Sequence, residues 1–344
     1  MKTSKYLLIA AAALILASAA WAEPFSRVGT TMAQFLKIPA GARGAALGGA
    51  YAAASEDVYA MAWNPAGIGR IRSRSLGGTY NNYFADIKYS FVGLTLPVDR
   101  ASNIGFSGML LSTDPIEITT IQQPNGTGTY FDYSGLVLGV TYARWLTDRL
   151  TVGVTVKMVR ESIYREDAST LAFDIGSQFD TGLYGVRLAM AITNFGGKMR
   201  LDGPDINAAS DTNPNLSGNR DTKSKLATLD WPLPMVFRMG IMMDLWGGSN
   251  ELLTSSQNRL TLIADANDPL DHFLRANVGL EYEWNNLLAL RVGHHFNYDK
   301  DTIGLTFGGG LKFKSGGSNF SLDYAYQDFG ILNAVHQYTI SLYF

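Results

Sequence analysis

Residues 151–158 read TVGVTVKM, Thr151-Val152-Gly153-Val154-Thr155-Val156-Lys157-Met158. In an extended chain successive side chains point to opposite faces. Val152, Val154, Val156 and Met158 therefore share one face, and Thr151, Gly153, Thr155 and Lys157 share the other. One face is wholly apolar, and the other is small, hydroxylated or charged. The same period of two recurs on both sides of this stretch. Leu171, Phe173 and Ile175 alternate with Thr170, Ala172 and Asp174. Val278, Leu280, Tyr282 and Trp284 alternate with Asn277, Gly279, Glu281 and Glu283. Ile303, Leu305 and Phe307 alternate with Thr302, Gly304, Thr306 and Gly308, and Phe320, Leu322, Tyr324 and Tyr326 with Ser321, Asp323, Ala325 and Gln327.

Followed to both ends, the pattern predicts strands at 75–83, 86–97, 102–113, 131–145, 149–161, 168–180, 184–194, 232–245, 257–266, 274–284, 287–297, 301–314, 318–328 and 336–344. That is about fourteen, an even number, as in bacterial barrels with both barrel ends in the periplasm. Strands of a soluble sandwich run about 5–6 residues. Many here run about 9–13, the length a tilted strand needs to cross a bilayer. The predicted fold is all-β, a transmembrane antiparallel barrel.

Composition agrees. The chain has 17 Tyr, 17 Phe and 36 Gly with only 17% charged residues. No segment after the first twenty or so residues is apolar for long enough to be a membrane helix. The start reads as an export signal: Lys2 and Lys5, an apolar run from Tyr6 to Ala20, then Ala20-Trp21-Ala22 as a small-x-small cleavage site. Residues 1–22 are expected to be removed, and the run is short for a membrane anchor. The sequence has no Cys, which excludes a lipoprotein attachment site, disulfides and thiolate chemistry. Against 30 Asp+Glu the chain has 28 Lys+Arg, two of them in the signal, so the mature chain carries about −4 and gives no reason to expect nucleic acid as a partner.

The connections divide into tight turns, such as Trp284-Asn285-Asn286-Leu287 and Lys314-Ser315-Gly316-Gly317-Ser318, and longer stretches. Two long ones, near 112–130 and 199–230, are expected to be extracellular loops. Their apolar residues Ile116, Ile118, Ile121, Leu201, Leu226, Leu229 and Trp231 are candidates for partner contact. Trp145, Trp284, Tyr142, Tyr282, Tyr338 and Tyr343 lie near strand ends and read as interfacial girdles. Gly77-Gly78 and Gly308-Gly309-Gly310 are candidate kinks in the wall.

Charges on the polar faces must avoid lipid, where Arg or Lys at the midplane costs about 2–4 kcal/mol. Lys157, Asp174, Glu281, Glu283, Arg291, Lys312 and Asp323 are therefore expected to point into the lumen, as a salt-bridged filling or as a polar path. Catalytic chemistry finds little support. His294 and His295 are adjacent in a strand and point opposite ways, His272 and His336 lie near strand ends, and no Ser–His pair shares a depth. Asp211, Asn213, Asn215, Ser217 and Gly218 weakly resemble a calcium loop, but Pro214 interrupts it and Thr222 stands where a bidentate Glu belongs. No cofactor or metal is implied.

About fifty residues separate the signal from the first strand. They are rich in Gly and Ala, which pack closely and fold back easily. They suit a plug of small residues in a barrel mouth. Phe35-Leu36-Lys37-Ile38-Pro39-Ala40-Gly41-Ala42-Arg43, then Leu47-Gly48-Gly49-Ala50-Tyr51, then Trp63-Asn64-Pro65-Ala66-Gly67-Ile68 resemble the amino-terminal signature of the PorV/PorQ family. Gly330 to Gln337, before the last strand, looks like the same family. Its members resemble FadL-type outer-membrane transporters, fourteen-stranded barrels with an amino-terminal hatch. The resemblance implies a hatch over 23–74, with Gly41, Arg43, Gly48, Gly49, Trp63, Asn64, Pro65 and Gly67 as its motif, and a barrel over 75–344. Tyr338, Ile340, Leu342 and Phe344 form one apolar face that resembles the signal read by the barrel assembly machinery. PorV-like members are implied to serve type IX secretion, binding secretion-system proteins and cargo domains. FadL-like members are implied to admit hydrophobic small molecules. Either way the setting is outer-membrane lipid.

Overall fold

The computed structural model describes residues 27–210, 222–247, 253, 255–296 and 304–344. Fourteen of its strands close into one antiparallel barrel. In chain order they are β1 (Ser75–Asn82), β2 (Lys88–Pro97), β3 (Ser102–Ser112), β4 (Tyr133–Trp145) and β5 (Leu150–Ile163). There follow β6 (Glu166–Asp180), β7 (Arg187–Gly196), β8 (Val236–Trp246), β9 (Asn258–Pro269) and β10 (Arg275–Trp284). The last four are β11 (Leu288–Phe296), β12 (Leu305–Ser315), β13 (Ser318–Asp328) and β14 (Ala334–Tyr343). Each strand pairs with its chain neighbours, and β1 pairs with β14 to close the ring, setting Gly78 opposite Ile340 and Tyr80 opposite Tyr338.

Burial is inverted relative to a water-soluble domain. On β5, Val154, Val156 and Met158 are exposed, while Thr151, Thr155 and Lys157 are buried. The apolar face meets lipid and the polar face meets the interior. Among the described residues no helix is long and apolar enough to cross a membrane.

One end of the barrel carries tight turns. Asn285 and Asn286 have φ of 52° and 50°, and Gly316 and Gly317 of 57° and 84°. Two consecutive left-handed residues match the right-handed twist of a hairpin. Strand starts differ from the sequence reading where local chemistry forbids pairing. Pro232 and Pro234 have no N–H to give, and β8 begins at Val236. Tyr184 and Gly185, at φ of 50° and 65°, hold a turn that delays β7 to Arg187. The other end carries the long connections. Ile116–Glu117 pairs with Tyr130–Phe131 in the first, and Asn207–Ser210 with Thr222–Lys225 in the second. Four connections at this end, 83–87, 164–165, 270–274 and 329–333, are as short as the turns opposite.

The candidate kinks do not interrupt the wall. Pairing runs in register through Gly77-Gly78 and through Gly308 to Gly310. Register shifts occur instead between Phe173 and Ile175, where Asn194 sits at φ of 63°, and between Asp244 and Trp246. The signal over residues 1–22, the loop positions Asp211 to Gly218, and residues 301–303 of the twelfth predicted strand lie outside the described residues.

The segment before β1 lies inside the barrel. It is a chain of short turns: a 3-10 turn Gln34–Lys37, helix α1 (Ala42–Ala46), helix α2 (Ala60–Trp63) and a 3-10 turn Pro65–Arg70. Leu47, Tyr51, Val58 and Ile68 are fully buried. The wall makes room with inward glycines. A Cβ on Gly153 would stand 2.4 Å from the Pro65 carbonyl carbon, and one on Gly293 2.1 Å from the Gly48 nitrogen. Only a residue without a side chain allows so close a backbone approach.

Candidate functional site

The segment is gripped at three levels. At the loop end, the Asp271 carboxylate accepts hydrogen bonds from Thr31 Oγ1, Gln34 Nε2 and Lys37 Nζ at 2.7, 2.7 and 2.8 Å. Burial would raise this carboxyl, but those three donors outweigh it and hold it down to about 2. Beside it, Met32 N donates to the Pro232 carbonyl and Ala33 N to Glu161. Phe35 and Leu36 complete an apolar cluster with Tyr89, Phe91, Met109 and Leu111.

At mid-depth the segment joins the wall's charges. Arg43 makes a fork to Glu281, Nε to Oε2 at 2.9 Å and Nη2 to Oε1 at 2.6 Å. Arg291 Nε donates to the same Glu281 at 2.6 Å, and its Nη1 donates to Asp323 at 2.6 Å. Glu281 and Arg291 are each 1% exposed in their side chains. This buried alternation of cation and anion is satisfied only as a set. Arg43 also lies over the Tyr51 ring, 5.5 Å from its centre. The Tyr51 hydroxyl donates to Asp57, and burial pushes the ionisation of both groups upward. Asp265 binds the Tyr51 and Ala52 backbone N–H groups, each at 2.8 Å.

Toward the turn end, Asn64 organises the exit. Its Oδ1 accepts from Ala66 N, capping the turn that Pro65 begins, and its Nδ2 donates to the Ala52 and Ser177 carbonyls. Trp63 Nε1 donates to the Ala40 carbonyl at 2.7 Å, and its ring packs edge-on against Tyr51. Arg187 bridges Glu56 at 2.9 Å and Asp180 at 2.8 Å, and Arg70 meets Asp180 at 2.8 Å. Burial would raise Glu56, yet the Arg187 guanidinium holds it down to about 2. Gly41, Gly48 and Gly49 sit at φ of 89°, 67° and 74°, where a side chain would be strained. Gly67 packs on the Ser55 carbonyl.

The lumen charges singled out in the sequence therefore fall into three groups. Glu281 and Asp323 come together through Arg291, and Arg43 joins them at Glu281. Lys157 pairs with Asp174 at 2.7 Å and also donates to Asn194, beside the register shift. Lys312 pairs with Glu283, which Arg259 also approaches. Sequence spacing missed Asp265, Asp271 and Glu56, because their partners are far away in the chain and no periodicity links them.

Two of the six girdle aromatics turn inward. Trp145 donates from Nε1 to the Gly69 carbonyl at 2.7 Å, and Arg70 stacks over its ring at 4.7 Å. Tyr343 shares the inward face of Thr339 and Ser341. Both keep the phase of their strands, Trp145 following buried Thr141 and Ala143, and Tyr343 following Thr339 and Ser341. Trp284, Tyr142 and Tyr338 are exposed on the outer face. Of the C-terminal face, Tyr338, Ile340 and Phe344 are exposed outward and Leu342 is half-buried. His294 and His295 point to opposite sides of β11, and His336 hydrogen-bonds Tyr324. Among the described residues no three His, Asp or Glu side chains gather to hold a metal ion.

The loop rim carries exposed apolar residues. Ile121 is 95% exposed and Ile331 87%, with Leu226 and Leu229 also exposed. Leu201 departs from expectation and packs against the interior cluster.

The fold has solved counterparts. The Ralstonia pickettii toluene transporter TbuX is 14% identical with a TM-score of 0.55, over 88% of this chain and 97% of that one. The Pseudomonas putida toluene transporter TodX is also 14% identical, at 0.52, over 88% and 96%. A Pseudomonas aeruginosa FadL homologue is 12% identical, at 0.50, over 88% and 96%. At these identities the likeness is one of fold. No curated protein matches the chain. The profile of the type IX secretion system protein PorV matches residues 22–222, more than half of the chain. With its outer-membrane barrel and its lumen-filling amino-terminal segment, the chain belongs to the PorV family.

Proposed function

We propose that this barrel works in protein secretion or surface assembly at the outer membrane, binding partner proteins with its loop rim rather than passing solutes through its lumen. The observation that carries the reading is the occupied lumen. From Thr31 at the loop end to Arg70 at the turn end the segment is hydrogen-bonded to the wall, with residues such as Leu47, Tyr51 and Ile68 fully buried. The partners in view are secretion-system proteins and cargo domains. The exposed Ile121, Leu229 and Ile331 supply apolar contact area for them. In this reading residues 23–74 are a fixed hatch, residues 1–22 a cleaved export signal, and Tyr338, Ile340, Leu342 and Phe344 the strand presented to the assembly machinery.

The FadL-like alternative, uptake of a hydrophobic small molecule, needs an apolar space beside the hatch. Here Phe35 and Leu36 fill the apolar region at the loop end. The test is recovery of partner proteins by native mass spectrometry from gently extracted outer membrane. Ile121→Asp, Leu229→Asp and Ile331→Asp together are expected to reduce co-released protein at least tenfold. Undiminished recovery, or a defined small molecule inside a barrel released alone, would overturn the reading.

A further inference from the structure

We propose that the outer wall carries a groove for one glycolipid of the loop-side leaflet, a site independent of the secretion reading. Across β11, β12, β13, β14 and β1, paired positions set Leu290, Gly309, Tyr324, Tyr338 and Tyr80 side by side on the lipid face. The adjoining row toward the turn end includes Leu322, Ile340 and Gly78. These rows bound an apolar groove of about 790 Å³, within the range of roughly 300–1,000 Å³ usual for small-molecule sites.

Two glycines hollow it. The inward glycines of the same strands, Gly77 and Gly308, are explained by the segment within, because a Cβ there would strike Val58 or Ala46 at 2.4 Å. Gly78 and Gly309 clear nothing inside. A Cβ on Gly309 would meet only the Ala289 carbonyl at 3.5 Å, and one on Gly78 only the Phe91 carbonyl at 3.8 Å. The missing side chains leave a recess open to the membrane, where their neighbours Leu290, Leu322 and Ile340 project. Hydrocarbon is the matching occupant of that recess.

The loop-side end of the groove is different. The Tyr324 hydroxyl and His336 Nδ1 share a hydrogen bond of 2.8 Å, and the Tyr324 and Tyr338 rings lie 5.4 Å apart. Tyr80 and Tyr338 are half exposed. Tyrosine offers an apolar ring and a polar tip, suited to the boundary between chain and headgroup. The lysine at this level, Lys88, is opposite Asn82 on the next strand and is already paired with Asp114 at 2.5 Å. Among the described residues the rim therefore presents hydroxyls and ring faces rather than a spare cation. That chemistry fits a sugar headgroup better than a phosphate. With long connections outward, as is usual for such barrels, the headgroup lies in the outer leaflet.

The experiment is native mass spectrometry of the full barrel in detergent with equal amounts of a galactosyl diacylglycerol and a phosphatidylcholine bearing the same acyl chains. The expected result is one retained adduct, predominantly the glycolipid. Gly309→Leu with Gly78→Leu should lower glycolipid retention at least tenfold. Gly108→Leu, at a lipid-facing glycine flanked by Val92 and Leu138, should leave it unchanged. Tyr80→Phe, Tyr324→Phe and Tyr338→Phe together keep the shape and should erase the preference between the two lipids. Equal retention of both lipids by the unaltered barrel, or undiminished glycolipid in the leucine-filled one, overturns the proposal, as does a protein found on this face in place of lipid. If the leucine pair prevents folding, judged by heat-dependent gel mobility, the phenylalanine triple decides: an unchanged preference rejects the site.

Discussion

Arg43 is where the amino-terminal segment enters the charge network of the wall, and Arg43→Met shows what that contact is worth. At present two guanidiniums face two carboxylates inside the barrel, Arg43 and Arg291 against Glu281 and Asp323. Without Arg43, Glu281 keeps one of its two cation partners, and that one already serves Asp323. Removing one member of a buried pair costs about 3–5 kcal/mol. The surviving Arg291 contact puts this case at the low end, about 3 kcal/mol, which at about 1.4 kcal/mol per decade is roughly a hundredfold. Hydrogen exchange of peptides spanning residues 42–52 reads the change directly. Their exchange should quicken roughly a hundredfold while β3–β6 stay protected. The double variant Arg43→Met with Glu281→Leu leaves Arg291 and Asp323 matched one to one and should restore more than half of the protection. Unchanged exchange in the single variant, or a double variant no better than the single, would refute the account of the network as a balanced set.

Three further outcomes are expected. Gly153→Ala drives a Cβ to 2.4 Å from the Pro65 backbone and should destabilise the filled barrel by about 1–3 kcal/mol, read as a lower heat-shift temperature, whereas Gly108→Ala on the lipid face should be near neutral. The Glu56 carboxyl, ordinarily near 4.5, is held to about 2 in the fold; a group lowered in this way stabilises above its unfolded value, so its contribution should fade as pH falls from about 4.5 to 2. Near-UV circular dichroism should show this loss, and Glu56→Gln should show a smaller one in that window, the remainder belonging to Asp271, which is also held to about 2. Asn285→Val places a branched side chain at φ of 52°, costing about 1–2 kcal/mol and slowing refolding, while Asn285→Gly should refold like the parent.

Alternation alone disclosed the wall, because lipid outside and polar filling inside impose opposite demands on neighbouring residues. Thr151 to Met158 carries that signal without help from the rest of the chain. The ends of strands were less legible. Trp145 and Tyr343 read as girdle residues from their place near a strand end, although the alternation of their own strands sets both on the inward face. The grip on the segment was least legible. Arg43 and Glu281 stand 238 residues apart, and Lys37 and Asp271 stand 234 apart; their meeting depends on closure of the whole ring. The Asn64 cap on the turn that Pro65 begins is local chemistry, but the second role of Asn64, donating to the Ser177 carbonyl on β6, has no local trace.

The β1–β14 seam dictates an order of construction. The segment lies immediately ahead of β1 in the chain, and the partner that closes β1 is the last strand made. Once that seam is zipped, backbone contacts as near as those of Gly153 and Gly293 leave no passage for forty residues to thread through the finished ring. The filling must already be seated in an open, curling sheet when the final strand arrives. Ring closure then becomes a checkpoint, because a sheet that curls around a misplaced segment cannot bring Tyr80 opposite Tyr338.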